Sequence, residues 1–132
     1  MQVNVKLNFE LRQSVIEDCE LLFRLQKLDG ASFDSSNEEQ VLAFKEYKTA
    51  FNPALIQVVV IGGVAIGRLR VVRGDDFYIG GMQLLPEWRG QGISTAILKQ
   101  LIQEADELNK VIRLEVFHNN PQAQRLYKRV GF

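Results

Sequence analysis

The chain has 132 residues, 46% of them hydrophobic and 24% charged, and its sixteen basic residues balance sixteen acidic ones. That length suits one domain with a real core, here residues 1–132, and the neutral balance lacks the concentrated Lys and Arg of nucleic-acid proteins. Cys19 is the only cysteine and His118 the only histidine, which excludes an intramolecular disulfide and a Cys/His zinc site, so no metal is expected. Residues 1–13 lack the apolar centre of a signal peptide and no stretch nears the ~20 apolar residues of a membrane span, so a cytoplasmic chain with no membrane partner is expected.

Residues 9–12 alternate like a strand. Ser14 and Glu17 have capping-box spacing, with Cys19, Leu22, Phe23 and Leu25 following at helical intervals up to a stop at Asp29-Gly30. A second capping box, Ser36 to Glu39, opens a helix with Val41, Phe44, Tyr47 and Phe51 on one side. Asn52-Pro53 ends it, because proline disfavours helical dihedrals in the residue before it. Residues 55–61 and 64–72 flank Gly62-Gly63 and predict a hairpin, and Gly74-Asp75-Asp76 turns the chain into a third strand over 77–85.

The period then changes. Ile93, Ala96, Ile97, Leu101, Ala105 and Leu108 recur at three and four, opposite Lys99, Gln103, Glu104, Asp106 and Glu107, which predicts a long amphipathic helix. Ile112, Leu114 and Val116 predict another strand. Asn120-Pro121 reads as an N-cap followed by proline at the first helical position. Ala123, Leu126, Tyr127 and Val130 then share one face of the last helix, with Gly131 as its C-cap. The order is strand, two helices, three meandering strands, helix, strand, helix: a mixed α/β class unlike a TIM barrel or a doubly wound nucleotide fold.

The segment from Pro86 to Thr95 lies between a strand and the long helix. A helix start leaves backbone N–H groups without internal partners, and its dipole favours negative charge. Gly90 and Gly92 lack a Cβ, so phosphate oxygens can approach the main chain, while Ser94 and Thr95 offer hydroxyls. These features suit a pyrophosphate; the plainer alternative is a glycine turn ahead of a helix. A Walker loop is absent, and a dinucleotide fingerprint wants a third glycine where Thr95 stands.

Arg89, Gly90, Gln91, Gly92, Ile93 and Ser94 resemble motif A of the GNAT superfamily of acyl-CoA-dependent N-acetyltransferases, whose core is Arg/Gln-x-x-Gly-x-Gly/Ala. Asn120, Ala123, Leu126, Tyr127, Gly131 and Phe132 resemble its motif B. The resemblance covers nearly the whole chain and is strongest over 82–132. It implies a central, mostly antiparallel sheet flanked by helices, and transfer of an acetyl group from acetyl-CoA to a primary amine by direct attack on the thioester. It also implies coenzyme contacts from Arg89, Gly90, Gln91, Gly92, Ile93, Ser94, Thr95 and Asn120, and from the main chain of Met82, Gln83 and Leu84.

Tyr127 is the implied general acid for the leaving thiolate; as a bare residue it also reads as a core aromatic. Glu115 is the candidate base, and an exposed cross-paired strand carboxylate is its other reading. Asp75, Asp76 and His118 are weaker alternatives. Cys19 reads as core, which favours direct transfer over an acyl-cysteine.

Relatives continue past the Gly-Phe pair through two more strands, so the sheet is expected to be short at that end and residues 111–117 to form an exposed edge. A shortened chain, a strand from a partner and a homodimer contact remain open explanations. A non-catalytic acyl-CoA-binding or regulatory domain is the alternative function. The amine acceptor, small molecule or protein, is not legible.

Overall fold

A four-strand meander with one parallel addition dominates the computed structural model, which describes residues 8–26, 34–114 and 121–132. The strands β1 (Glu10–Gln13), β2 (Ile56–Ile61), β3 (Val64–Arg73), β4 (Phe77–Leu84) and β5 (Ile112–Leu114) lie side by side in chain order. The first four pair antiparallel, and β5 joins β4 in parallel from Phe77↔Ile112 to Ile79↔Leu114. A parallel neighbour requires a crossover, and the helix α3 (Ile93–Glu107) supplies it. Helices α1 (Cys19–Gln26) and α2 (Glu38–Thr49) fall between β1 and β2, and α4 (Pro121–Arg129) follows β5. The order expected from the sequence is the order found.

Two glycines close the hairpin between β2 and β3. Gly62 and Gly63 have φ of 57° and 78°, the pair of positive values that suits a two-residue turn between twisted strands. On β4 the register steps from Arg70↔Gly81 to Val71↔Ile79, leaving Gly80 as an extra residue. Such a bulge bends its strand and increases its twist.

Alternation along the strands sorts side chains onto two faces. Val59, Leu69, Val71, Ile79 and Leu84 form one cluster with Ile93, Ile97, Leu98 and Leu101 of α3 and Tyr127 of α4. On the opposite face, Ile56 and Val58 meet Leu22 of α1, with Tyr47 and Phe51 packed against them. The α1 residues Cys19, Leu22, Phe23 and Leu25 are buried as their spacing predicts. Phe23 stacks its ring 5.4 Å from Phe44 and 5.5 Å from Tyr47, tying α1 to α2.

Three helix ends differ from expectation. Ser14 caps nothing: it is 1% exposed, and its hydroxyl and N–H both donate to the Ile56 carbonyl, at 2.7 and 3.2 Å. Burial forces that pairing, since a dry hydroxyl needs a partner. Asp18 takes over at the helix start, accepting from the Val15 N–H at 2.8 Å and pairing with Arg12 at 2.8 Å. At α2 the cap is Asn37, which accepts from the Gln40 N–H at 3.1 Å, while Ser36 donates to Asp34. Leu108 leaves the apolar stripe of α3 and is 54% exposed, because the helix ends at Glu107 and Asn109 turns the chain at φ 54°. The stop at Asp29-Gly30 and the Asn120 cap lie outside the described residues.

Candidate active site

Beyond Leu84 the chain passes through a 3₁₀ turn (Pro86–Trp88) into the glycine loop and α3. Gly90 and Gly92 have φ of 75° and 81°, a region that costs a side chain dearly. A Cβ added at either would meet nothing within 4 Å. Backbone conformation therefore demands these glycines, and the open space beside them leaves the main chain approachable.

Gly92 is the N-cap of α3 and has no side chain to accept from the first turn. The Ala96 N–H bonds back to the Gly92 carbonyl at 3.0 Å. The N–H groups of Ile93, Ser94 and Thr95 thus stand at the positive end of a 15-residue helix without a side-chain cap, the arrangement that attracts anions. Ile93 itself is 1% exposed in the core, so it offers a ligand only its main chain.

The loop is braced from both sides. Arg89 donates through Nε to the Leu84 carbonyl at 3.0 Å, and Gln91 donates through Nε2 to the Glu87 carbonyl at 3.1 Å. Both residues, expected as coenzyme contacts, also fix the loop against the end of β4.

A cleft of about 310 Å³ runs between this loop, β4 and α4, lined by Met82, Gln83, Leu84, Arg89, Gly90 and Ser94 on one side and Gln122, Ala123 and Leu126 on the other. A second hollow of about 370 Å³ shares Leu84, Gly90, Ser94, Gln122 and Leu126 with it and extends to Gly92, Ile93, Thr95 and Arg129. The structure therefore gathers every expected coenzyme residue it describes except Gln91 around one continuous depression. Glu115 and Asn120 lie outside the described residues. Sequence reading missed Gln122 and Arg129. The signal was present, because positions 122, 126 and 129 share a helix face.

Tyr127 is 9% exposed and packs in the α3 cluster, its ring edge-on to Phe132 at 6.0 Å. Burial pushes its hydroxyl up from the ordinary tyrosine range. Its helix neighbours Ala123 and Leu126 line the cleft. Asp75 and Asp76 stand at the far end of β4, where Asp76 pairs with Arg113 at 3.0 Å. At ~3.3 Å per strand residue they are roughly 25 Å from Leu84, at the opposite end of β4 from the glycine loop. Cys19 is 1% exposed, and burial pushes its thiol up, away from the reactive thiolate. Among the described residues no group of three or more His, Cys, Asp or Glu could hold a metal ion, and no helix is long and apolar enough to cross a membrane.

The model of the Acetyltransferase (GNAT) family matches residues 18–132. The chain belongs to the GNAT family. The thialysine N-epsilon-acetyltransferase of Bos taurus is 37% identical to this GNAT chain over 60 residues, which are 45% of the chain and 35% of that protein. The chain thus matches only about a third of the length of that curated relative, as its 35% coverage states. Among solved structures, a transcriptional regulator from Bacillus halodurans is 25% identical and aligns over 95% of this chain and 93% of its own with a TM-score of 0.65. The PaiA N-acetyltransferase of Thermoplasma acidophilum, solved in complex with coenzyme A, is 18% identical and aligns over 95% and 89% with a TM-score of 0.69. These neighbours share the GNAT fold expected from the two motifs, a mostly antiparallel sheet flanked by helices.

Proposed function

We propose that this GNAT chain transfers an acetyl group from acetyl-CoA to a primary amine by direct attack on the thioester. One observation carries the reading: the start of α3, free of a side-chain cap, opens onto the cleft between β4 and α4. Relatives support it, since the Bos taurus match is named an N-epsilon-acetyltransferase and the Thermoplasma neighbour was solved with coenzyme A.

The residues present fit the coenzyme. The N–H groups of Ile93, Ser94 and Thr95 suit the diphosphate, with the hydroxyls of Ser94 and Thr95 and the Arg89, Gly90, Gln91 and Gly92 loop beside them. Arg129 adds positive charge to the same hollow. Met82, Gln83 and Leu84 line the cleft where the pantetheine arm would run along β4, and Asn120 is assigned with them on the motif resemblance. When bound, acetyl-CoA supplies an activated carbonyl and a thiol leaving group.

An alkylamine of pKa ~10 must lose a proton before it can attack. Its nitrogen then bonds to the carbonyl carbon, and the carbon–sulfur bond breaks. We assign Glu115 as acceptor of the amine proton and Tyr127 as donor of a proton to the departing sulfur. Tyr127 holds a proton to give at neutral pH, and its helix neighbours Ala123 and Leu126 line the cleft.

Release of coenzyme thiol with a panel of amines tests the assignment. Tyr127→Phe is expected to lower kcat roughly a hundredfold, the scale of general-acid catalysis; equal rates would remove Tyr127 from the mechanism. Gly92→Asp adds bulk and negative charge at the loop and is expected to abolish the rise in melting temperature that a specific ligand gives. A persisting rise would sink the phosphate assignment.

A further inference from the structure

We infer that the amine acceptor is an amino acid or similar small molecule whose carboxylate is held by Arg68, a conclusion that rests on the acetyl-transfer reading and narrows it. Arg68 stands on β3 directly across from Gln83 of β4. Its side chain is 92% withdrawn from solvent by its relative exposure of 8%, far more than is usual for an arginine. Nη1 donates to Gln83 Oε1 at 2.8 Å. The Tyr47 hydroxyl is its neighbour, and among the described residues neither that hydroxyl nor Arg68 Nε has a well-formed hydrogen bond to any other group.

Among the described residues no carboxylate pairs with Arg68. Burial pulls its proton affinity down; the Tyr47 hydroxyl beside it pulls the other way, and Arg70, a second cation, adds slightly to the lowering. An unpaired buried charge is costly unless something satisfies it. Gly81 makes room for this arrangement: a Cβ there would lie 3.2 Å from Arg68 Nη1 and 3.3 Å from Gln83 Nε2.

Space for an anion adjoins these groups. Tyr47, Asn52, Arg68, Arg70 and Gln26 line a hollow of about 210 Å³. Gln26 also lines the transfer cleft, as does Gln83, the partner that steadies Arg68. A carboxylate in the hollow would accept from Nη2, the guanidinium nitrogen neither bonded to Gln83 nor sealed from solvent, in a charge-assisted pair of the kind arginine favours. Its amine would then extend past Gln26 and Gln83 toward the thioester. Two arginines with no carboxylate partner among the described residues would repel polycationic acceptors such as polyamines and aminoglycosides.

The test uses the full chain with lysine, methionine and glutamine, each beside its carboxamide and its decarboxylated amine. Thiol release reads turnover, and the melting temperature reads binding without turnover. At least one amino acid is expected to exceed its carboxamide by roughly tenfold or more in kcat/KM and to raise the melting temperature, as loss of a buried charge-assisted pair implies. Arg68→Gln should bring that ratio toward one, and Arg68→Lys, which keeps the charge without the fork, should leave it in between; circular dichroism confirms folding of both. Ratios near one for all three amino acids in the wild type, with thiol still released, would overturn the carboxylate anchor and leave acetyl transfer standing. Carboxylate-dependent stabilisation lost in Arg68→Gln, without thiol release from any amine, would keep the anchor and overturn the transferase reading.

Discussion

The two faces of the sheet differ in how completely they satisfy their own groups. Toward α3 the interior is apolar and closed: five residues of that helix are buried, and four of them meet the strands in one cluster. Toward α1 and α2 it is thinner, with no buried residue on α2 and with Arg68 and Tyr47 carrying unpaired polar atoms. The closed face packs the start of α3 into the core through Ile93, which suits the proposed diphosphate site and its need for aimed N–H groups. The open face keeps polar groups free at a cost in stability, which makes sense where a ligand is to complete it.

That contrast can be broken by substitution. Ile97, 0% exposed, and Leu42 on α2, 59% exposed, are both apolar helix residues. Ile97→Ala is expected to cost about 2–5 kcal/mol in urea unfolding, from lost transfer energy and the cavity left behind. Leu42→Ala should stay within about 0.5 kcal/mol; comparable losses would mean the faces are equally structural.

Arg68→Met sharpens the same point with a smaller effect and the opposite sign. Replacing a buried cation that has no carboxylate partner among the described residues by an apolar side chain of similar length should leave stability unchanged or raise it by about 1 kcal/mol. A loss beyond ~2 kcal/mol in the same assay would show that the guanidinium holds the α2 face together.

Asp18 gives the smallest effect. Its hydrogen bond with Arg12, aided by the Val15 N–H, holds its carboxyl below the ordinary range. A carboxyl depressed in the folded state adds stability above its unfolded pKa and loses it as pH falls through the lower folded value. Because Arg12 is substantially exposed, Asp18→Asn should cost no more than about 1 kcal/mol at neutral pH. Melting curves of mutant and wild type should converge in acid; a gap independent of pH would assign the effect to packing.

Element types were legible because each carries a local period. The meander, the long α3 stripe and the Gly62-Gly63 turn follow from alternation, helical spacing and positive φ. Caps were less legible. Ser14 and Ser36 have capping spacing, yet the Ile56 carbonyl claims one and Asp34 the other, and neither partner is signalled by local spacing. In the site, the glycine loop was readable from composition, whereas Gln122 and Arg129 required knowing which face of α4 turns toward it.

Short-range physics, then, was written into the order of residues: which segments twist as strands, where a helix begins on bare glycine, and that the chain belongs with proteins sharing its two motifs. Only the assembled sheet decided that Arg68 and Gln83 stand opposite each other and that Arg68 reaches its hollow beside Tyr47 with no counterion among the described residues. Such juxtapositions depend on strand register and on which helix covers which face, and those are set by long-range packing.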